Sequence, residues 1–332
     1  MTMEKSRINN ILVIKISAIG DVVRSFPALV SVAKEFPEAR IDFLISDRLT
    51  ELLEPCPYVT EIIPYDKKKY TKDWRAFLGF CREIRNRRYD LVLNLQNTRR
   101  FQVMARLSGA RYRTRLITLE RPTKGIEGVF KVLETVGMKP QARHYEFWFT
   151  DDDLKFAIRF LRAEGMTDGR KLIGLAPGAG WQSKQWPLKK YVELANALHK
   201  STGGSAIVFG SASEVRRAEE IKKRSVAPVA IASGATTIRQ AAALIEKCSV
   251  FISNDSGLMH VADLLQVPTV GMFGSTNPAY HGPSMTGNRS LFGGIECSPC
   301  YKPECKLDFD KYYCLTSLGV DEAYDAAMKI MR

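Results

Sequence analysis

Residues 254–260 read Asn-Asp-Ser-Gly-Leu-Met-His and join an apolar run at 249–253 to a segment at 260–266 with helical spacing. The first N–H groups of a helix lack intrahelical partners, and the helix dipole favours negative charge there. Asp255, Ser256 and Gly257 therefore stand where an α/β protein can hold a phosphate. The same residue types also serve as plain N-caps. His260, one turn in, reaches a phosphate or only packs. Further loops carry groups suited to the same ligand. In the loop at 176–187, Gly178 and Gly180 free the backbone for close contact, and Lys184 supplies a point positive charge. The loop at 210–214 ends in Glu214, placed to accept hydrogen bonds from ribose hydroxyls or to act as a first-turn carboxylate. Residues 273–278, Phe-Gly-Ser-Thr-Asn-Pro, suit a sugar contact or a plain turn. At the other end of the chain, Asp21 follows Ser17-Ala18-Ile19-Gly20 and opens the next helix. It is either an N-terminal cap or a general base for an attacking hydroxyl.

All of these groups lie in loops that follow apolar runs. Runs at 11–16, 40–45, 59–63 and 90–95 read as buried strands, and helical spacing at 21–36, 47–53 and 73–87 separates them. The alternation restarts with strands at 171–176, 205–209, 229–231, 249–253 and 269–273, and helices at 188–200, 214–224, 238–247 and 321–331. Strands alternating with helices form parallel sheets. The expected fold is therefore α/β, with two Rossmann-like, doubly wound domains at 1–150 and 151–332 joined near 140–170. Parallel sheets bind ligands beyond the carboxyl ends of their strands. Two such sheets facing across a cleft would place the active site there.

The 332 residues are 45% hydrophobic and 26% charged, an ordinary soluble composition. No apolar run is long enough to span a bilayer, and 11–16 is too short for a signal-peptide core, so a cytoplasmic protein is expected. The formal net charge is +13, and residues 61–124 hold 17 Lys/Arg against 6 Asp/Glu. Such an excess is a solvated face or attracts something anionic: nucleic acid, a phosphorylated glycolipid or an anionic leaflet. No nucleic-acid-binding motif accompanies it, so nucleic acid is not expected as a partner.

Taken in order, the segments 15–22, 177–179 with 183–187, 209–211, 254–260 and 268–278 resemble the ADP-heptose:lipopolysaccharide heptosyltransferases, glycosyltransferase family 9. The resemblance runs from about residue 11 to 330. It implies the GT-B architecture, with an acceptor-binding first domain, a nucleotide-sugar-binding second domain and a terminal helix packing back toward the first. It implies metal-independent, inverting transfer of heptose from ADP-heptose to a hydroxyl of the lipopolysaccharide core (Kdo-lipid A type), at the inner face of the inner membrane. Carried over by position, Asp21 resembles the catalytic base and Lys184 the lysine that meets the diphosphate. Glu214 resembles the ribose carboxylate and Asp255 the aspartate on the heptose hydroxyls. Ser256, Gly257, His260 and Gly178 fall near the nucleotide-sugar. Ser17, Arg99 and Arg100 are acceptor-side candidates. Lys67-Lys68-Lys69, Arg99-Arg100 and Arg111, Arg113 and Arg115 would favour such an anionic acceptor, and a peripheral contact with the anionic inner-membrane surface is expected.

Four of the seven cysteines, Cys297, Cys300, Cys305 and Cys314, crowd one loop segment. In a reducing compartment such a group suggests a closed structural zinc or iron site, although the spacing matches no familiar zinc ribbon and free thiols are the alternative. Similar cysteines occur in part of the family, where some protein heptosyltransferases bind iron. Asp151-Asp152-Asp153 and Asp308-Phe309-Asp310 imitate the metal motif of other glycosyltransferases, but the first opens a helix, where acids are favoured anyway. The rival readings are a relative using another sugar or a protein hydroxyl, a two-domain nucleotide-sugar epimerase, and a non-catalytic sugar-nucleotide-binding or metal-holding protein. Oligomeric state is not legible.

Overall fold

In the computed structural model the chain forms two compact units, Met1–Trp148 and Phe149–Arg332. The structure describes residues 3–117, 123, 125–139, 145–166 and 169–331. The end of the basic stretch (118–122 and 124) and parts of the expected joint (140–144 and 167–168) lie outside the described residues.

The first unit holds a five-stranded parallel sheet of β1 (Asn10–Ile14), β2 (Arg40–Ser46), β3 (Glu61–Tyr65), β4 (Leu91–Asn94) and β5 (Tyr112–Arg113), in the order β3-β2-β1-β4-β5. β1 carries four fully buried residues, Ile11 to Ile14, because helices cover both faces of a parallel sheet. The expected helix at 21–36 is two, Ile19–Val23 and Phe26–Glu35. Pro27 has no N–H to donate, and the Ser25 hydroxyl bonds back to the Val22 carbonyl at 2.6 Å, so the chain restarts its helix there.

The second unit holds a six-stranded parallel sheet of β6 (Leu172–Ala176), β7 (Ser205–Val208), β8 (Val229–Ile231), β9 (Val250–Asn254), β10 (Thr269–Phe273) and β11 (Arg289–Phe292), in the order β11-β10-β9-β6-β7-β8. Its core runs through Ile173, Leu175, Trp186, Tyr191, Val208 and Ile252. The closing helix, Val320–Ile330, buries Ala323, Ala326 and Ala327 in that same core.

In both sheets the strand order reverses beside the first strand, between β1 and β4 and between β6 and β9. The crevice outside the carboxyl ends at such a switch point is where open α/β sheets bind ligands. The loops leaving β6 and β9 carry Lys184 and Asp255. The loops leaving β1 and β4 carry Asp21 and residues 95–98.

Candidate functional site

Asn254 organises the switch point of the second sheet. It is fully buried at the end of β9. Its Nδ2 donates to the Pro177 carbonyl at 2.8 Å, and its Oδ1 accepts from the Trp186 N–H and the Tyr191 hydroxyl, each at 3.0 Å. One side chain thus ties both ends of the loop at 177–187 to the start of the motif turn. The motif's residue types alone assign Asn254 no role; its signal in the sequence is an amide at the end of a buried strand, where an unpaired polar group is costly.

Held in this way, Lys184 Nζ meets Asp255 Oδ2 at 2.7 Å. The same carboxylate oxygen accepts from the Thr276 hydroxyl at 2.7 Å, and Asp255 is 6% exposed. Lys184 also lies over the Trp181 ring, 4.6 Å from its centroid. The adjoining helix, Gly257–Leu264, begins at Ser256, whose side chain makes no capping bond and contacts Ser253 Oγ at 3.0 Å instead. No side chain of its N-cap therefore closes the N-terminus of this helix. His260 is buried within it.

Glu214 serves two loops. Its Oε2 accepts from the Ser211 N–H at 2.7 Å and the Ser211 hydroxyl at 2.9 Å, which is a capping box. Its Oε1 lies against Gly178, where an added Cβ would sit 1.5 Å away. Gly178 is thus needed for close approach, whereas at Gly180 a Cβ would meet nothing.

The cysteine-bearing segment fastens the two loops that frame Lys184 and Asp255. Ser183 N donates to the Pro303 carbonyl at 3.1 Å, and its hydroxyl contacts the Lys302 carbonyl and Ser275 Oγ. Tyr301 N donates to the Ser275 carbonyl at 2.8 Å, and the Ser298 hydroxyl donates to the Gly274 carbonyl. Cys314 is buried against Gly274, while Cys297 is exposed. Burial, followed by the neighbouring Cys300, Cys297 and Cys305, pushes the Cys314 thiol up to about 11. All four thiols are free, and among the described residues no three His, Cys, Asp or Glu side chains come together as a metal-binding group. The three other thiols nonetheless lie near enough to Cys314 for their charges to act on it. Cys314 is drawn into the packing under β10, while Cys297 stays at the surface of the loop.

In the first unit, Asp21 Oδ1 pairs with Arg24 Nη2 at 2.7 Å, one turn along the helix. Lys15, 8% exposed, donates from Nζ to the Leu95 carbonyl at 3.1 Å. Burial works against ionisation of Asp21. The charges of Lys15 and Arg24, with hydrogen bonds from Arg24 and the Ala18 backbone, outweigh it and hold the carboxyl below the usual aspartate range. Burial lowers the Lys15 pKa, with Asp21 acting in the opposite direction. Ser17 lies beside Gln96, whose Oε1 accepts from the Ile16 and Ser17 N–H groups. A cavity of about 670 Å³ opens beyond β1, β2 and β3, where Arg48, Lys67, Lys68 and Lys72 outnumber Asp47 and Asp66 and Ser17 adjoins them. Arg99 is exposed. Arg100 turns inward, with its guanidinium 4.2 Å from the Phe77 ring centroid and bonded to the Tyr70 carbonyl.

Asp153, in the triple-aspartate run, is spent on structure. It forms a capping box with Thr150 and pairs with Arg239 at 2.9 Å.

The sequence profile of glycosyltransferase family 9 (heptosyltransferase) matches residues 77–310, most of the chain. The chain belongs to glycosyltransferase family 9. A lipopolysaccharide core heptosyltransferase, OpsX of Haemophilus influenzae, is 25% identical over 297 residues, covering 83% of this chain and 81% of that protein. A family 9 glycosyl transferase from Veillonella parvula superposes with a TM-score of 0.86 at 23% identity, covering 99% of this chain and 98% of its own. The ADP-heptose lps heptosyltransferase II of E. coli superposes with a TM-score of 0.75 at 23% identity, covering 97% and 98%. The fold is that of the GT-B heptosyltransferases, and the protein is a glycosyltransferase. Among the described residues no helix is long and apolar enough to cross a membrane.

Proposed function

We propose that this glycosyltransferase moves a heptose from ADP-heptose to a hydroxyl of the lipopolysaccharide inner core, with inversion at the anomeric carbon. The observation that carries the reading is the Lys184–Asp255–Thr276 cluster beside the helix start at Gly257, on a switch point that Glu214 also borders. In this reading residues 151–332 take the donor and residues 1–150 the acceptor. Glu214 Oε1 accepts from ribose hydroxyls and Asp255 from the heptose. Ser256, Gly257, His260 and the backbone at Gly178 adjoin the diphosphate. The similarity to OpsX, a lipopolysaccharide core heptosyltransferase, supports the sugar and the pathway.

An acceptor hydroxyl has too high a pKa to ionise unaided. Asp21, kept ionised by Lys15 and Arg24, takes its proton as the oxygen bonds to the anomeric carbon. The bond from the anomeric carbon to the bridging phosphate oxygen breaks at the same time, and its electron pair leaves on that oxygen with ADP. Lys184 and the N–H groups of the Gly257 helix start meet the charge that grows on the diphosphate. Arg48, Lys67, Lys68 and Lys72 around the acceptor-side cavity suit carboxylates and phosphates of a core oligosaccharide. Ser17 and Arg99 remain acceptor-side candidates, while the inward packing of Arg100 favours a supporting role for it. The protein would work at the inner face of the membrane, drawn there by its basic first unit.

The test is calorimetry with ADP-, UDP- and GDP-sugars, then turnover of the best donor on Kdo-lipid A. Tighter binding of a UDP- or GDP-sugar overturns the heptose assignment, and transfer to a protein hydroxyl with none to Kdo-lipid A overturns the acceptor. Asp21→Asn should keep donor affinity and lose about 10³-fold in turnover.

A further inference from the structure

A basic cavity, of about 620 Å³, lies at the opposite edge of the first sheet, around β5. Lys5 comes from the turn before β1, Arg106 from the helix Arg99–Leu107, Arg111 and Arg113 from the edge strand and its approach, and Arg115 from the segment after it. No acidic residue lines it among the described residues. Two of the five cations are partly neutralised: Lys5 pairs with Glu35 at 2.6 Å, and Arg111 with Glu4 at 3.9 Å. Arg106, Arg113 and Arg115 pair with no carboxylate among the described residues. Arg113 donates only to the Ala110 carbonyl of its own turn, at 3.2 Å. The floor is neutral and polar, where Gln102 Nε2 donates to the Thr114 carbonyl at 3.2 Å.

Arginines on an exposed edge strand are an ordinary defence against strand addition. That accounts for Arg113 on β5. It does not account for a concavity into which three other elements send cations. The rim adds a second feature. Leu116 lines the cavity and is 43% exposed. Cations without a carboxylate partner around a hollow, bordered by an exposed leucine, match an amphiphile whose polar end carries a phosphate ester.

We propose that this cavity binds the phosphate headgroup of a membrane lipid and seats the first unit on an anionic bilayer surface. It is separate from the cavity beyond β1, β2 and β3, so a lipid could be held here while that cavity takes an acceptor.

The test is co-sedimentation of the full chain with phosphatidylcholine vesicles, with and without phosphatidylglycerol, at several salt concentrations. Binding is expected only to the anionic vesicles and should weaken with salt. A basic residue near an anionic surface is worth about a fivefold factor in partitioning, so Arg106→Gln with Arg115→Gln should cost on the order of 30-fold, and Arg115→Gln alone about fivefold. The pair Lys222→Gln with Lys223→Gln removes the same charge from the exposed helix Val215–Arg224 of the second unit and should change little. ADP binding and melting temperature check that the variants are folded. Three results overturn the proposal. The wild type fails to bind anionic vesicles, the two double variants lose binding equally, or inorganic phosphate saturates the cavity while vesicles do not.

Discussion

At the scale of single residues, Lys184 and Asp255 are paired in the structure, and under the proposed mechanism donor binding must rearrange that pair. A carboxylate that is 6% exposed is tolerated because an ammonium and a hydroxyl share one of its oxygens at 2.7 Å each. Lys184→Met leaves that carboxylate with Thr276 alone. Breaking a buried pair costs about 3–5 kcal/mol, and the 18% exposure of the lysine side chain sets the lower end, about 3 kcal/mol. Adding Asp255→Asn should return most of this stability in urea unfolding while turnover stays down by about 10²-fold or more. Recovery of turnover in the double variant would leave Lys184 a purely structural role. Arg24 governs a different quantity. Asp21 is ionised more readily than an ordinary aspartate, against the effect of its burial, because of Lys15 and then Arg24. A depressed folded pKa means that any stability from the ionised group is present above the unfolded value and is lost as pH falls through the folded one. Asp21 is 43% exposed, so that contribution is small, and the larger consequence is kinetic. The acidic limb of kcat/KM should lie below the usual aspartate range, and Arg24→Met should move it to higher pH. An unmoved limb would assign the titration to another group.

At the scale of elements, strands β8 (Val229–Ile231) and β10 (Thr269–Phe273) were legible to the residue, because a buried parallel strand is a continuous apolar run between turn residues. β5 was not, since two residues, one of them Arg113, carry no period. The helix Lys67–Lys72 is illegible for a related reason: it buries no residue fully, and its start is marked only by the Asp66 cap on Lys69 N–H. In the loops that follow β6, β7 and β9 the ionic candidates are legible, but their supports are not. Asn254, Ser183 and Thr276 act through distant partners that only the folded sheet brings near. Gly178 and Glu214 show how this matters. A Cβ on Gly178 would sit 1.5 Å from Glu214 Oε1, so Gly178→Ala must push the carboxylate away from its place or displace the loop. Donor KM should rise about tenfold or more, with a smaller change in kcat. If Glu214 only caps its helix, Gly178→Ala with Glu214→Ala recovers donor affinity by relieving the clash. If Glu214 holds the ribose, affinity stays low. Steady-state kinetics over a donor titration separates the two outcomes.

At the scale of the whole molecule, the charge is unevenly shared. Residues 1–148 carry 27 Lys/Arg against 17 Asp/Glu, a net +10, and residues 149–332 carry 22 against 19, a net +3. The difference matters for the two substrates because they are met in different ways. The donor diphosphate would be gripped by Lys184, only 18% exposed, and by backbone N–H groups at close range, where salt screens weakly. The acceptor would first meet exposed lysines and arginines whose summed field raises its local concentration. Such a field decays over about 8 Å at physiological ionic strength and about 3 Å at 1 M. Raising salt from low to near-molar should therefore increase KM for a soluble, delipidated acceptor by on the order of tenfold, while the Kd for ADP-heptose changes much less. Replacing Lys67, Lys68 and Lys72 by Gln should flatten the acceptor's salt dependence without altering the donor's. Parallel salt dependences for donor and acceptor would mean that the positive charge of the first unit does not serve acceptor capture, and its purpose would then have to be sought at the β5 cavity or in solubility alone.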